Sequence, residues 1–235
     1  MSEKIVADII DSFFFKKRTK TPHESLANYS DGTLVAGGEK GEFYTHICYH
    51  TIKQSLLELI KNNKESYTIV ETGCAAHGTQ STLLWDRFVN NFQGTLRSVD
   101  LNKKAVDFTN TKLSEKSKVI CSDSLLYLPT LESEIDFLYL DSYDVDFLDP
   151  LLSAEHHLKE FNLVKHLLHK GSVILIDDTP KCVDWLDNGK HNRLYNKLKN
   201  NFNPEMCGKG SLVNKELEIM GATKIMNQYQ VLWVL

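Results

Sequence analysis

The chain has 235 residues, 42% of them hydrophobic and 25% charged, with a formal net charge of −4. A chain of this size buries about 70% of its surface without a staple, and this composition excludes a disordered chain, a collagen-like repeat and a disulfide scaffold. The negative charge argues against a broad basic face for duplex nucleic acid. The opening residues MSEKIVADII carry acids where a secretory signal is basic. They read as a short helix ending in the aromatic run Phe13–Phe15, a packing or dimer contact that leaves room for a homodimer. Lys16-Lys17-Arg18 and a glycine-rich loop, Asp31 to Gly41, follow. A helical pattern resumes over His46 to Ile60, and residues 1–62 are expected to form an N-terminal helical and loop cap.

From residue 63 to 235 the pattern is that of one domain. Tyr67–Val70, Leu96–Val99, Lys118–Cys121, Ile135–Leu140 and Ser172–Ile176 are short apolar runs suited to strands covered on both faces. Helical periods lie between or after them at Gln80–Asn91, Asn102–Leu113, Ser153–His169 and Asn188–Phe202, with a short segment at Ser124–Leu131. The tail, Thr223 to Leu235, reads as two strands around Asn227-Gln228-Tyr229. This alternation predicts an α/β, Rossmann-like, doubly wound sheet of seven strands, mostly parallel, with a C-terminal antiparallel hairpin and helices on both faces. No apolar run approaches the ~20 residues of a membrane helix. The five cysteines are widely spaced with no CxxC pair, which points to a reducing compartment. The expectation is a cytoplasmic protein without membrane or nucleic-acid partners.

In an open α/β sheet a ligand binds beyond the carboxyl ends of the strands. The first run ends in Glu71-Thr72-Gly73-Cys74-Ala75-Ala76-His77-Gly78 before Ser81-Thr82 open a helix; the others end in Asp100, in Asp123-Ser124, in Asp141 and in Asp177-Asp178. One such ending is bland, since Asp and Ser commonly cap the next helix. Five at one edge are less so. Gly73, Ala75 and Gly78 let the backbone turn tightly, and the sequence lacks both the phosphate-loop ending and the dinucleotide GxGxxG. A loop that begins with an acid suits a ligand bearing positive charge. Asp100 can accept both hydroxyls of a ribose, and Asp123 and Ser124 can meet an adenine's amino edge.

The order Glu-x-Gly…Gly, Asp100, Asp123-Ser124, Asp141 resembles class I S-adenosylmethionine-dependent methyltransferases across residues ~65–235. The resemblance implies that Gly73 and its neighbours, Glu71, Cys74, Ala75, Gly78 and Ser81, surround the methionine part and that Asp100 holds the ribose and Asp123, with Ser124 beside it, the adenine; Asp141 either joins a metal site or only orients the cofactor's amino group. The pattern Asp141…Asp177-Asp178 is similar to the Mg²⁺ site of catechol-type and macrolide-sugar O-methyltransferases. Three carboxylates on neighbouring strands need a cation, a proton or solvent between them, because two charges ~4 Å apart repel by ~4 kcal/mol at a dielectric of 20. Hard oxygen ligands suit Mg²⁺.

Catechol-type enzymes place a lysine three residues beyond the first metal aspartate; Asp144 stands there in this chain. The base candidates are Asp144, His156 and His157. His77 reads as a residue of the cofactor loop, and His166 and His169 as structural residues of a helix. Gly37–Gly41 and Cys207–Ser211 read as flexible loops; the glycines flanking Lys209 suit an anionic acceptor. The leading expectation is a Mg²⁺-assisted O-methyltransferase acting on a hydroxyl of a small acceptor such as a sugar or capsule building block. The alternatives are a metal-independent N- or O-methyltransferase with a His or Asp base, and a non-catalytic cofactor-binding module.

Overall fold

The structure, a computed structural model, describes residues 1–15, 47–74, 80–186 and 192–235. Ala75, His77 and Gly78, the segment Lys16–Arg18 and the glycine-rich loop through Gly41 lie outside the described residues. In chain order the elements are α1 (Ser2–Phe15), α2 (Tyr49–Lys61), β1 (Tyr67–Thr72), α3 (Ser81–Phe92), β2 (Gly94–Asp100), α4 (Lys103–Asn110), β3 (Ser117–Cys121), α5 (Ser124–Tyr127), β4 (Ile135–Leu140), α6 (Leu151–Val164), β5 (Leu168–Ile176), α7 (Asn192–Leu198), α8 (Ser211–Ile219), β6 (Thr223–Asn227) and β7 (Val231–Val234).

The strands form one seven-stranded sheet in the order β3-β2-β1-β4-β5-β7-β6. The first five pair in parallel, and β7 runs antiparallel to both β5 and β6. The expected fold is the observed one. Alternation along each strand divides the core into two layers. Ile69, Phe137, Tyr139, Val173, Leu175 and Leu232 face one layer, with residues of α1, α2 and α3. Val70, Leu138, Leu140, Ile174, Ile176 and Trp233 face the other, with Phe161 and Val164 of α6 and Val213 and Leu217 of α8. In α1 the residues Val6, Ile9, Ile10, Phe13 and Phe14 recur at helical spacing, and all are buried. Phe13 and Phe14 therefore pack inside the protein's own core. No described helix is long and apolar enough to cross a membrane.

Three local expectations change. The helix expected to run to His169 stops at Val164, and β5 begins at Leu168 after one turn of 3-10 helix. Pairing of Leu168 with Ile135 overrides the helical period. His169 thus lies on a strand, where Nε2 sits 2.9 Å from the buried carboxylate of Asp136. The helix expected over Asn188–Phe202 is described only as Asn192–Leu198. The third change is α8, a helix that directly follows the expected loop Cys207–Ser211 and buries Val213 and Leu217 one turn apart.

Candidate active site

The rim at the carboxyl ends of β1, β2, β4 and β5 is built first by Gly73. Its φ is +83°, and a Cβ there would stand 2.3 Å from the carbonyl oxygen of Asp141. Only glycine lets the chain leaving β1 pass this close to β4. Glu71, one turn of the pleat earlier, is fully buried. Its carboxylate accepts hydrogen bonds from Ser81, Thr82 and Ser98 hydroxyls at 2.6, 2.6 and 2.7 Å and from the Trp85 indole at 2.9 Å. Burial nonetheless raises its pKa, against the pull of those donors. Glu71 and Ser81 therefore bond each other and tie α3 to the sheet; the direct ligand contact expected of Glu71 has no oxygen left to make it.

Asp100 ends β2 half-buried. Its Oδ2 accepts from the Cys74 amide at 3.0 Å and its Oδ1 from the Asn102 amide at 2.6 Å. The side chain thus fixes the loop after β1, and each oxygen keeps a second lone pair. Asp123 accepts from the Leu125 amide at 2.8 Å, so the helix-capping role is real here. Ser124, buried beside it, places its hydroxyl 3.3 Å from Nε2 of His156. A small cavity of 60 Å³ beside Cys74, lined by Thr82, Ala105, Phe108 and Lys112, holds none of the rim's carboxylates.

Asp141, Asp177 and Asp178 converge as their strand order requires, each offering an oxygen within 4.8 Å of the others. Lys209 sits among them. Its side chain is only 2% exposed, and Nζ lies 2.7 Å from Asp141 Oδ1 and 3.0 Å from Asp178 Oδ2. Tyr229 donates to Asp178 Oδ1 at 2.5 Å, and Gln230 donates to Asp177 Oδ1 at 2.7 Å. Burial would lower the Lys209 pKa, but the three carboxylates raise it well above its ordinary value. Burial raises Asp141 despite Lys209, and burial with repulsion from Asp141 and Asp178 raises Asp177 well above the carboxylate range. For Asp178, Lys209 and the Tyr229 hydroxyl overcome burial and hold it low. A divalent ion needs open carboxylate oxygens. Here ammonium, phenol and amide donors occupy every one of these oxygens but Asp177 Oδ2, so the residues as arranged do not fit a metal.

The loop that carries Lys209 is not the flexible segment expected. The Lys209 amide donates to the Asp178 carbonyl at 3.1 Å and the Gly210 amide to the Thr179 hydroxyl at 2.8 Å. A Cβ on Gly208 would stand 1.8 Å from the Asp178 carbonyl oxygen. Those glycines let the loop lie flat on the Asp177-Asp178-Thr179 turn.

The three base candidates separate. Asp144 is exposed. His157 is fully buried, with Nδ1 2.7 Å from the Ser153 carbonyl, and burial lowers its pKa to about 4. His156 is partly exposed at the mouth, its ring 5.1 Å from that of Tyr143, with Nε2 3.2 Å from Glu160. Glu160 is fully buried and accepts from Thr72 at 3.0 Å and Ser142 at 2.7 Å. Burial would raise its pKa, but the His156 and Ser142 bonds and the nearby His157 bring it below the ordinary value. Glu160 was not foreseen from the sequence. Its one signal is its place four residues beyond His156, one helical turn along α6.

Residues 70–179 match the family described as a methyltransferase domain, a span that holds every rim residue above except Lys209, Tyr229 and Gln230. No curated protein matches the chain. Among solved structures, the MycE methyltransferase from the mycinamycin biosynthetic pathway, in complex with Mg and SAH, matches with a TM-score of 0.55 at 12% identity, over 96% of this chain and 53% of that one. The N-methyltransferase NodS from Bradyrhizobium japonicum WM9 matches at 0.45 and 12%, over 77% and 90% of the two chains. A probable spermidine synthase from Corynebacterium glutamicum ATCC 13032 matches at 0.41 and 13%, over 53% and 45%. The chain thus spans about half the length of the first and third of these proteins. The likeness to MycE is one of fold. Residues 70–179, just under half of the chain, thus resemble a methyltransferase domain, and the sheet around the rim has the fold that MycE shares.

Proposed function

We propose that the enzyme methylates a hydroxyl group of a small acceptor, with His156 as general base and Glu160 as the residue that positions it. The single observation that carries this reading is the His156–Glu160 pair at the mouth of the rim. An ionised carboxylate only accepts, so Nε2 of His156 carries the proton toward Glu160 and Nδ1 holds the lone pair. S-adenosylmethionine supplies an electrophilic methyl group on a sulfonium. Asp100 and Asp123 have lone pairs left that would meet the ribose hydroxyls and the adenine amino group, and the backbone at Gly73 and Cys74 would border the methionine part. His156 Nδ1 would take the hydroxyl proton as the oxygen–carbon bond forms and the methyl–sulfonium bond breaks, with S-adenosylhomocysteine leaving as the neutral thioether. A sugar or capsule building block suits a mouth that offers polar side chains and one aromatic face, Tyr143.

Turnover of the acceptor by His156→Gln tests the reading. General-base loss predicts a fall in kcat of about 100-fold or more with a small change in KM. An unchanged kcat removes His156 from the chemistry. The magnesium-assisted form expected from the sequence differs in one outcome: it requires turnover to stop in EDTA, whereas the base pair alone keeps it running.

A further inference from the structure

We propose that Lys209 is the resident cation of the acidic rim, occupying by its ammonium group the position that a divalent ion would otherwise take between Asp141 and Asp178. Three facts converge. The side chain is sealed at 2% exposure, and its nitrogen touches both carboxylates at 2.7 and 3.0 Å. The loop that delivers it is fitted backbone to backbone on the turn that bears Asp178, through the Lys209 amide and the close approach of Gly208. Other protein donors stand around the cluster: Tyr229 holds the other oxygen of Asp178, Gln230 one oxygen of Asp177, and Tyr139 the second oxygen of Asp141. Gln230 is in turn fixed by a hydrogen bond from Thr51 and by its own bond to Tyr139. A lysine stranded in a buried acidic cluster by chance would not carry a second set of donors arranged around the charges it leaves.

The consequence for the reaction is positional. Asp141 follows the last residue of β4, and its backbone carbonyl is the group against which Gly73 turns. By holding the Asp141 carboxylate, Lys209 fixes the crossing of the first loop over β4, where the methionine part of the cofactor is expected. Lys209 is thus a positioning residue, and the third ammonium proton has no partner among the described residues. This inference concerns the chain's own charges and does not depend on which acceptor is methylated.

Mn²⁺ binding to the full chain, read by electron paramagnetic resonance, tests it. Wild type and Asp178→Asn are expected to show the same weak background. Lys209→Ala is expected to gain one equivalent of Mn²⁺ with a dissociation constant about tenfold or more below that of wild type, because the two carboxylate oxygens held by the ammonium are released beside Asp177. The added site is expected to vanish in Lys209→Ala/Asp178→Asn. One equivalent bound by wild type and removed by Asp178→Asn overturns the proposal, as does a folded Lys209→Ala protein that gains no site. If Lys209→Ala does not fold, Lys209→Met keeps the apolar stem and removes the charge, and the same gain is expected. If neither folds, the comparison of wild type with Asp178→Asn still decides. A failure of hydroxyl methylation would leave these results untouched.

Discussion

Asp100 gives one lone pair to each of two backbone amides, Cys74 and Asn102, and is proposed to hold the cofactor's ribose as well. Asp100→Ala removes both functions, so S-adenosylmethionine binding, followed by calorimetry, is expected to weaken by about tenfold or more; unchanged binding contradicts the ribose role. His157 shows a different kind of residue-scale effect. Its pKa falls from 6.5 to about 4 because burial penalises the imidazolium. Between those values the unfolded chain binds the proton and the folded chain does not, so stability falls as pH falls through this window. The loss by pH 4 amounts to about 3 kcal/mol from this group. Urea unfolding at pH 7 and pH 4.5 should show a smaller pH dependence in His157→Gln than in wild type. Equal slopes would remove His157 as the cause.

The turn after β5 and the loop before α8 act as one element. Gly208 lies so close to the Asp178 carbonyl that a methyl group there forces the two backbones apart. Gly208→Ala is expected to lose about 2 kcal/mol or more of stability in chemical denaturation, and to expose Lys209. A variant as stable as wild type would show that the loop can move without cost. This element also marks where the sequence could be read and where it could not. The strands and the crossing order were legible because β1, β4 and β5 are short apolar runs with chemistry only at their carboxyl ends. The convergence of Asp141 with Asp177 and Asp178 followed from that order. Lys209 was not legible, because a lysine between glycines reads as a mobile loop until the partner turn is known. Glu160 was hidden for a related reason: a glutamate on a helix is ordinarily a solvated residue, and only its burial against Thr72 and Ser142 shows otherwise. Glu71 illustrates the converse. It was legible as a special residue, but its partners on α3 make it a structural tie.

Across the whole molecule, two apolar layers hold a sheet whose carboxyl edge gathers the polar chemistry. The layer formed with α1, α2 and α3 fixes Glu71, and through it the start of α3. The layer formed with α6 and α8 places both unforeseen groups: Glu160 rides on α6, and Lys209 stands just before α8. One helical layer therefore supplies both the proposed base pair and the proposed internal cation, and on that proposal methyl transfer needs no metal. The most direct measurement of that claim is transfer of a labelled methyl group from S-adenosylmethionine into a pool of small hydroxylated metabolites, in the presence of EDTA, with products identified by mass spectrometry. A methyl ether product is expected, its yield unchanged by EDTA and lost in His156→Gln. A product formed only after Mg²⁺ is added back, or a methylated amine in its place, would contradict it.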